Sequence, residues 1–256
     1  MSGGRTGIAA AFARASDYDR HARVQRIVAE GLADRIAGLK LPRDARILEI
    51  GCGTGFLTQA LLARGVSGQW LVTDIAPAMV ARCRKRLGGS RDIDFAVLDG
   101  EQDRPPGAGS YDLVCSSLAL QWFDDPASAA TRMMAWLAPG GWLAFTSLLA
   151  GTFAEWRGAH EAEGLEPGSR SLPERGLFDA LMPELQADAH RVVQHVDACG
   201  DARGFLRSLR AIGAQTPDAG HRPLGAAAMR RVMRRFSEAG GSASYEVIEC
   251  LYHKGS

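Results

Sequence analysis

Short apolar runs alternate with amphipathic segments between residues 43 and 150, and this is the most regular hydrophobic pattern in the chain. The apolar runs cover 46–50, 69–73, 93–97, 111–115 and 142–146. Each is short, continuous and rich in branched or aromatic residues, which predicts a strand. Helical spacing of apolar residues predicts helices over 56–63, 78–87 and 126–137. Continuous strands separated by helices favour an α/β, Rossmann-like, doubly wound and mostly parallel sheet with both faces covered.

The segment that precedes this core, residues 1–42, is predicted to form an N-terminal helical lid. Apolar residues recur at three- and four-residue steps over 20–38, and Pro42 closes that helix. Residues 1–11 are small and Gly-rich, so we expect them to be loose.

The segment that follows the core, residues 151–240, is predicted to be a helical cap over the ligand edge of the sheet, with a role in substrate binding. Its predicted helices cover 174–181, 203–212 and 226–238, and one embedded strand covers 190–196. The last segment, 241–256, contains a final predicted strand at 244–252. The sheet is therefore predicted to have seven strands, within a single domain over 1–256.

Composition and charge exclude several classes of protein. The 30 Lys and Arg residues nearly balance the 29 Asp and Glu residues, which argues against a globally basic nucleic-acid binder. The five cysteines lack the spacing of a zinc site or a disulfide framework, so a reducing cytoplasm fits best. No apolar run approaches the ~18 residues of a membrane span.

A glycine-rich loop follows the first predicted strand and carries the clearest functional signal. It consists of Gly51, Gly53 and Gly55, with Glu49 before it and Asp74 at the end of the second strand. Glycines let a ligand approach the backbone closely, and an acidic residue about 20 positions further on can accept both ribose hydroxyls.

The charge of Glu49 decides which nucleotide the loop favours. A carboxylate at that position suits a cationic ligand better than a pyrophosphate. S-adenosylmethionine carries a sulfonium and an amino group, and a nicotinamide dinucleotide is the alternative ligand.

These residues resemble the class I S-adenosylmethionine-dependent methyltransferases over residues 44–147. Two further segments match that pattern: Asp99-Gly100-Glu101 after the third strand, and Pro139-Gly140-Gly141, a predicted turn before the fifth. The resemblance implies that an acidic side chain of the segment Asp99-Gly100-Glu101 lies against the adenine amino group. The implied donor-binding set is completed by Glu49, Gly51, Cys52, Gly53, Gly55, Asp74, Ile75, Met79, Gly100, Glu101, Ser116 and Gln121.

A narrower resemblance covers nearly the whole chain and concerns the malonyl-[acyl-carrier protein] O-methyltransferases of biotin synthesis. The matching segments are 11–15, 18–19, 24–26, 117–122, 144–148, 205–214 and 244–247. The chain departs from that pattern in three places: 115–117 lacks the expected Asn, Arg210 replaces the usual Lys, and 170–173 matches only loosely.

This resemblance implies methyl transfer to the free carboxylate of a malonyl thioester. A carboxylate is already ionised at neutral pH, so we expect no general base, no catalytic His and no metal. Substrate selection needs a cation, and a guanidinium presents two parallel donors to two oxygens. The candidates are Arg170 first, then Arg207 and Arg210, with Arg14 also considered and Tyr18 closing over the methyl donor from the lid.

A basic segment in the cap predicts the kind of partner. Eight arginines stand against two aspartates over 201–235. Such a face suits the acidic acyl carrier protein, and the predicted docking residues are Arg203, Arg230, Arg231, Arg234 and Arg235. A nucleic acid is disfavoured because this stretch offers few aromatic residues, Phe205 within it and Phe236 just beyond it.

Two other functions stay open from the sequence. One is a methyltransferase that acts on a free small acid such as an aconitate-like compound, which would not need a basic cap face. The other is a non-catalytic, nucleoside-binding scaffold of the same fold.

Overall fold

The computed structural model describes Gly7, Ala10, Phe12 and the ranges 18–89, 91–181, 190–214 and 222–255. The predicted loose segment 1–11 and Arg14 therefore lie outside the described residues, apart from Gly7 and Ala10.

Seven strands form one sheet in the order β3-β2-β1-β4-β5-β7-β6. The strands are β1 (Arg46–Ile50), β2 (Gln69–Asp74), β3 (Ile93–Val97), β4 (Tyr111–Ser117), β5 (Leu137–Leu148), β6 (His190–Ala198) and β7 (Ser242–His253). β1 to β5 pair in parallel. β7 runs antiparallel to β5, because Lys254 beyond the end of β7 bonds to Gly141 near the start of β5. The Rossmann-like, mostly parallel fold is confirmed.

Nine α-helices lie among the described residues. They are α1 (Tyr18–His21), α2 (Arg23–Ala37), α3 (Phe56–Ala63), α4 (Pro77–Leu87), α5 (Pro126–Ala135), α6 (Ala154–Glu161), α7 (Arg175–Asp179), α8 (Ala202–Ala211) and α9 (Ala226–Glu238). A 3₁₀ helix covers Leu120–Trp122. The predicted helices agree within a few residues, whereas α6 and the 3₁₀ helix were not predicted.

The Pro139-Gly140-Gly141 segment is not a turn that precedes the fifth strand, as the sequence predicts. It lies inside β5 as a bulge: Tyr111 pairs with Leu137, but Leu113 pairs with Trp142. Backbone hydrogen bonds with Lys254 of 2.8 and 2.9 Å hold the bulge to the segment after β7. A strand partner that comes from the far end of the chain therefore overrides the local turn signal.

Two compact units divide the chain. The first unit contains Met1–Val24, Leu148–Pro173 and Gln194–Val247. The second unit contains Gln25–Ser147, Glu174–Val193 and Ile248–Ser256. The single-domain organisation stays a prediction, and most of α2, predicted as part of the lid, falls in the second unit.

Each unit has its own buried apolar residues. In the second unit, Ile47, Leu48 and Leu113 of the central strands are fully buried. In the first unit, aromatic rings provide much of the core: Phe205 of α8 stacks on Phe236 of α9 with ring centroids 5.2 Å apart. Burial of such side chains supplies the main stabilising free energy.

Within the described residues, every helix is too short or too polar to cross a membrane.

Candidate functional site

The glycine-rich loop between β1 and α3 has the backbone geometry that requires glycine. Gly51, Gly53 and Gly55 have positive φ angles of 70, 53 and 94°. A Cβ at Gly51 would lie 2.4 Å from the Cβ of Ala119, and one at Gly55 would lie 2.8 Å from the Sγ of Cys83. The loop is therefore packed closely against the segment after β4 and against α4.

Asp74, at the carboxyl end of β2, is bound to this loop. Its Oδ2 accepts a hydrogen bond of 2.9 Å from Gly53 N, and its Oδ1 accepts one of 2.8 Å from Ala76 N. Burial raises the pKa of this carboxyl group above its ordinary value, while the two backbone donors act in the opposite direction. An ionised carboxylate has about four acceptor positions, so roughly two remain for a ligand. The predicted bond to ribose is compatible with this geometry and stays a prediction.

Glu49 in β1 is only 1% exposed. Its pKa is raised to about 7: burial raises it most, a hydrogen bond from Thr58 lowers it, and the charge of Asp74 raises it. The Thr58 Oγ1–H of α3 donates to Glu49 Oε2. Two buried carboxyl groups with raised pKa values thus lie close enough to interact, and a cationic ligand would stabilise both in the ionised form.

The carboxyl end of β4 contributes Ser116 and Gln121. The buried Ser116 hydroxyl donates to Ile50 O at 2.8 Å, which ties β4 to the end of β1. Gln121 is 5% exposed, and its Nε2 donates to Leu118 O at 2.7 Å. Leu118 has a φ of 52°, a conformation that costs free energy for a non-glycine residue. The predicted donor contacts of Ser116 and Gln121 stay predictions.

The segment after β3 places Asp99 and Glu101 in different surroundings. Asp99 is half-buried and its Oδ1 accepts from Glu101 N at 2.9 Å. A Cβ at Gly100 would lie 2.3 Å from Ile50 Cγ2, so this segment packs on the end of β1. The Glu101 carboxylate accepts from the backbone N–H groups at 124–125. Glu101 thus has a structural role in the protein, and its contact with the donor stays a prediction.

The remaining predicted donor contacts are apolar or weakly polar. Cys52 is buried in the loop, and the neighbouring Cys83 thiol together with burial raises its pKa. A thiol that stays protonated is a poor nucleophile, which fits a packing role for Cys52. Met79 of α4 is buried and Ile75 is half-buried.

The four residues predicted to contact the substrate all belong to the first unit. Tyr18 begins α1 and is half-buried, as is Arg170 in the irregular segment between α6 and α7. Arg207 and Arg210 lie on the exposed face of α8. Their contact with a substrate stays a prediction.

The arginines of α9 differ from one another in their partners. Glu163 binds Arg231 at 2.7 Å and also Arg235, and these hydrogen bonds hold its pKa below the ordinary range. Arg234 lies 3.9 Å from Glu238, four positions further along the same helix. The five predicted docking residues are therefore not equivalent, because two of them neutralise a single carboxylate within the first unit.

Sequence reasoning missed Thr58 and Leu118. Thr58 follows the apolar pair Phe56-Leu57 in α3, and a polar residue at that position was the available signal. Nothing in the sequence indicates the positive φ of Leu118.

No group of three or more potential metal-ligating side chains is found in the part of the chain that the structure describes.

Known proteins support this description of the fold. Residues 48–145 match the family model described as a methyltransferase domain. The chain is 42% identical over 241 residues to the biotin biosynthesis bifunctional protein BioCD of Bordetella avium, across 93% of this chain and 50% of that protein. It is 39% identical over 251 residues to a malonyl-[acyl-carrier protein] O-methyltransferase of Magnetococcus marinus, across 94% of this chain and 90% of that protein.

Solved structures share the fold at low sequence identity. The YcgJ protein of Bacillus subtilis is 14% identical with a TM-score of 0.60, over 89% of this chain and 98% of its own. A Haemonchus contortus phosphoethanolamine N-methyltransferase, solved with S-adenosylhomocysteine, is 16% identical with a TM-score of 0.54, over 89% of this chain and 53% of its own.

The fold, the glycine-rich loop and the matched domain define an S-adenosylmethionine-dependent methyltransferase. Within that class, the chain belongs to the family of malonyl-[acyl-carrier protein] O-methyltransferases, which confirms the resemblance drawn from the sequence. The chain spans half the length of the bifunctional Bordetella avium relative.

Proposed function

We propose that this chain transfers the methyl group of S-adenosylmethionine to the free carboxylate of a malonyl group carried on acyl carrier protein. The observation that carries the proposal is the 39% identity over 90% of the Magnetococcus marinus protein, which is named for that reaction. The product is a malonyl methyl ester, whose masked end lets chain extension towards pimeloyl and biotin begin.

Two buried carboxyl groups, in β1 and at the end of β2, favour a cationic methyl donor. Glu49 and Asp74 are both buried with raised pKa values, and the charge of Asp74 adds to the cost of ionising Glu49. A sulfonium ion with an ammonium group compensates that cost, whereas a pyrophosphate would increase it. Methyl transfer removes the sulfonium charge, so the site loses part of its attraction for the product.

For this reaction, the main task of the protein is to position the reacting atoms. A carboxylate oxygen attacks the methyl carbon, the carbon–sulfur bond breaks, and its electron pair stays on sulfur. No proton moves, because the carboxylate is already ionised near neutral pH. Holding oxygen, carbon and sulfur in line can contribute about 7–11 kcal/mol.

Arg170 is the best candidate for the substrate carboxylate. It is half-buried, whereas Arg207 and Arg210 are exposed to solvent on α8. A guanidinium that is partly withdrawn from water binds a carboxylate more strongly than an exposed one. Tyr18 on α1 is the proposed second contact.

The exposed face of α8 is a better docking surface for the carrier protein than α9 alone. Arg203, Arg207 and Arg210 lie on one face at four- and three-residue steps, opposite the buried Phe205 and Ser208. We call these three residues the α8 arginine stripe. An acidic carrier protein would be steered by such a stripe.

Methyl-transfer assays with three acceptors test the proposal. Radiolabelled S-adenosylmethionine is supplied with malonyl-acyl carrier protein, malonyl-coenzyme A or free dicarboxylic acids, and labelled ester is counted. We expect the highest kcat/KM for malonyl-acyl carrier protein. Labelling of free acids alone would replace the proposal with the small-acid methyltransferase, and binding of S-adenosylmethionine with no labelling would favour the scaffold.

A further inference from the structure

The side chain of Glu246 in β7 binds the backbone of a turn that follows β5. Its Oε2 accepts a hydrogen bond of 2.8 Å from Gly151 N. The carboxylate lies so close to Gly151 that a Cβ there would be 2.3 Å from Oε2 and 2.6 Å from Cδ. Any other residue at position 151 would displace the carboxylate, so glycine at this position is what allows the contact.

The main chain of Glu246 makes three further hydrogen bonds with the same turn. Its O accepts from Leu149 N at 2.8 Å and from the Thr152 hydroxyl at 3.2 Å, and its N–H donates to Thr152 Oγ1 at 3.1 Å. Thr152 is fully buried, and a bond of 2.9 Å from its N to Leu149 O closes the turn. Side chain and main chain of Glu246 therefore hold the turn 149–152 together.

One more hydrogen bond connects this turn to the segment that carries Arg170. Ala150, which lies between two residues bound by Glu246, donates from its N to Pro173 O at 3.0 Å. Residues 165–174 contain no helix or strand, so the path of this segment depends on individual contacts rather than on a repeated ladder. Because Arg170 stands three residues before Pro173, the turn limits where its guanidinium can reach.

We propose that Glu246 is a positioning residue for acceptor recognition: it holds the turn 149–152, and the turn holds the segment from which Arg170 binds the substrate carboxylate. The inference rests on the proposed function, because it takes Arg170 as the acceptor contact. Glu246 acts through the backbone and does not touch the substrate. All residues in this series of contacts belong to the first unit. Paired hydrogen bonds to a carboxylate depend on geometry, so a displaced guanidinium binds it less well.

Substitutions on both sides of the Glu246–Gly151 contact test this role by kinetics. Glu246→Leu has similar volume and lacks the acceptor, whereas Glu246→Gln keeps an acceptor oxygen. We expect the KM for malonyl-acyl carrier protein to rise about fivefold in Glu246→Leu with kcat within twofold of native, and Glu246→Gln to recover most of the loss. Gly151→Ala displaces the carboxylate while leaving Glu246 in place and should raise KM in the same way, which keeps the test valid if Glu246→Leu does not fold.

Glu155→Leu is the matched control. Glu155 of α6 also accepts from the backbone of β7, at 3.0 Å from Ser244 N. Its loss should lower thermal stability and leave KM within twofold of native. A rise in KM as large as that of Glu246→Leu would show a general effect of weakened packing and would overturn the inference.

A double-mutant cycle connects the effect to Arg170. If Glu246 acts through Arg170, then Glu246→Leu should raise KM no further in an Arg170→Gln background. Independent losses that add on the scale of log KM, or a native KM in both Glu246→Leu and Gly151→Ala, would contradict the inference.

Hydrogen exchange measures the positioning step without a substrate. Peptides that cover 165–174 should exchange at least fivefold faster in Glu246→Leu than in the native chain, and at the native rate in Glu155→Leu. Native exchange in Glu246→Leu would refute the role of Glu246. Failure to methylate malonyl-acyl carrier protein, with the exchange difference present, would refute the proposed substrate and leave the positioning of this segment in place.

Discussion

At the scale of single residues, Glu49 combines near-complete burial with a proposed role, binding of a cationic ligand, that needs its charge. Its pKa is raised to about 7, chiefly by burial, and the Thr58 hydroxyl acts in the opposite direction by donating to the carboxylate. The other titratable groups that interact with it are Asp74, Cys52 and Cys115, and none of them is a cation. Thr58 is therefore the described neighbour that helps Glu49 to ionise.

This arrangement predicts that donor affinity depends on pH near neutrality. A cationic ligand binds the ionised form of Glu49, so affinity should fall as the pH drops through about 7. Folding has the opposite dependence: a raised carboxyl pKa costs stability above the folded pKa, and the cost disappears below the unfolded value. Calorimetric titration of S-adenosylmethionine between pH 6 and 8 measures the midpoint. Affinity that stays flat across this range would show that Glu49 does not interact with the ligand's charge.

Thr58→Val tests the hydroxyl directly. Loss of a hydrogen bond to a charged group, worth about 1.5–3 kcal/mol, should move the midpoint of the pH profile upward by one to two units. Thr58→Ser keeps the hydroxyl and should keep the native midpoint, so it is the matched control. If valine and serine gave the same profile, packing rather than hydrogen bonding would explain the position of Thr58.

A second prediction concerns Asp74, whose carboxylate holds the loop and is proposed to bind the ligand. Asp74→Ala removes the acceptor for Gly53 N and Ala76 N and should weaken donor binding by ~1–3 kcal/mol. Asp112→Ala is the control, since Asp112 also accepts from a backbone N–H, that of Arg46 at 2.8 Å, away from the glycine loop. Unchanged calorimetric affinity in Asp74→Ala, or an equal loss in Asp112→Ala, would exclude a direct role at the ribose.

The sequence predicted the positions of these residues better than it predicted their partners. The positions of Glu49 and Asp74 follow from strand ends and glycine spacing, which are local features. The bonds from Thr58 to Glu49 and from Gly151 N to Glu246 depend on how helices and loops pack on the sheet. Such contacts arise from tertiary packing, which no spacing rule encodes.

At the scale of elements, local signals predicted the regular strands and failed where distant segments meet. β1 and β3 have their predicted bounds because each is a short apolar run between polar turns. β5 begins five residues earlier than predicted. Backbone hydrogen bonds with Lys254, just after β7, keep the Pro-Gly-Gly bulge within the strand. α6 follows Phe153, a non-glycine residue with a φ of 60°, and contains Gly158, so its sequence carries little helical signal.

The two basic helices should respond differently to charge reversal. Arg203 of α8 and Arg230 of α9 are exposed, whereas Arg231 and Arg235 bind Glu163. Arg203→Glu combined with Arg230→Glu should lower kcat/KM for malonyl-acyl carrier protein about tenfold at low salt, because steering falls with ionic strength. Transfer to malonyl-coenzyme A should change much less.

Two comparisons make this prediction specific. Arg91→Glu reverses an exposed arginine of the second unit and should leave both acceptors unaffected. Arg231→Gln combined with Arg235→Gln removes partners of Glu163 and should lower thermal stability more than it lowers carrier-protein kinetics. If Arg203→Glu combined with Arg230→Glu slowed transfer to both acceptors equally, this surface would not be a docking site for the carrier protein.

At the scale of the whole molecule, the proposed functions divide between the two compact units. Apart from Tyr18, which is predicted to close over the methyl donor from the lid, every residue proposed to contact that donor lies in Gln25–Ser147, within the second unit. Tyr18, Arg170, Arg207 and Arg210, proposed to contact the acceptor, lie in the first unit. Donor binding and acceptor binding should therefore be separable by mutation.

Arg170→Gln provides the sharpest test of that separation. The glutamine keeps a polar side chain but loses the charge and the paired donors that suit a carboxylate. We expect the KM for malonyl-acyl carrier protein to rise at least tenfold while the calorimetric affinity for S-adenosylmethionine stays within twofold of native, a loss of ~1.4 kcal/mol confined to the acceptor. Arg170→Lys retains the charge and should recover part of the loss, which distinguishes carboxylate recognition from packing. Weaker donor binding in Arg170→Gln would instead mean that this arginine serves the methyl donor, and the assignment of acceptor recognition would pass to Arg207 and Arg210.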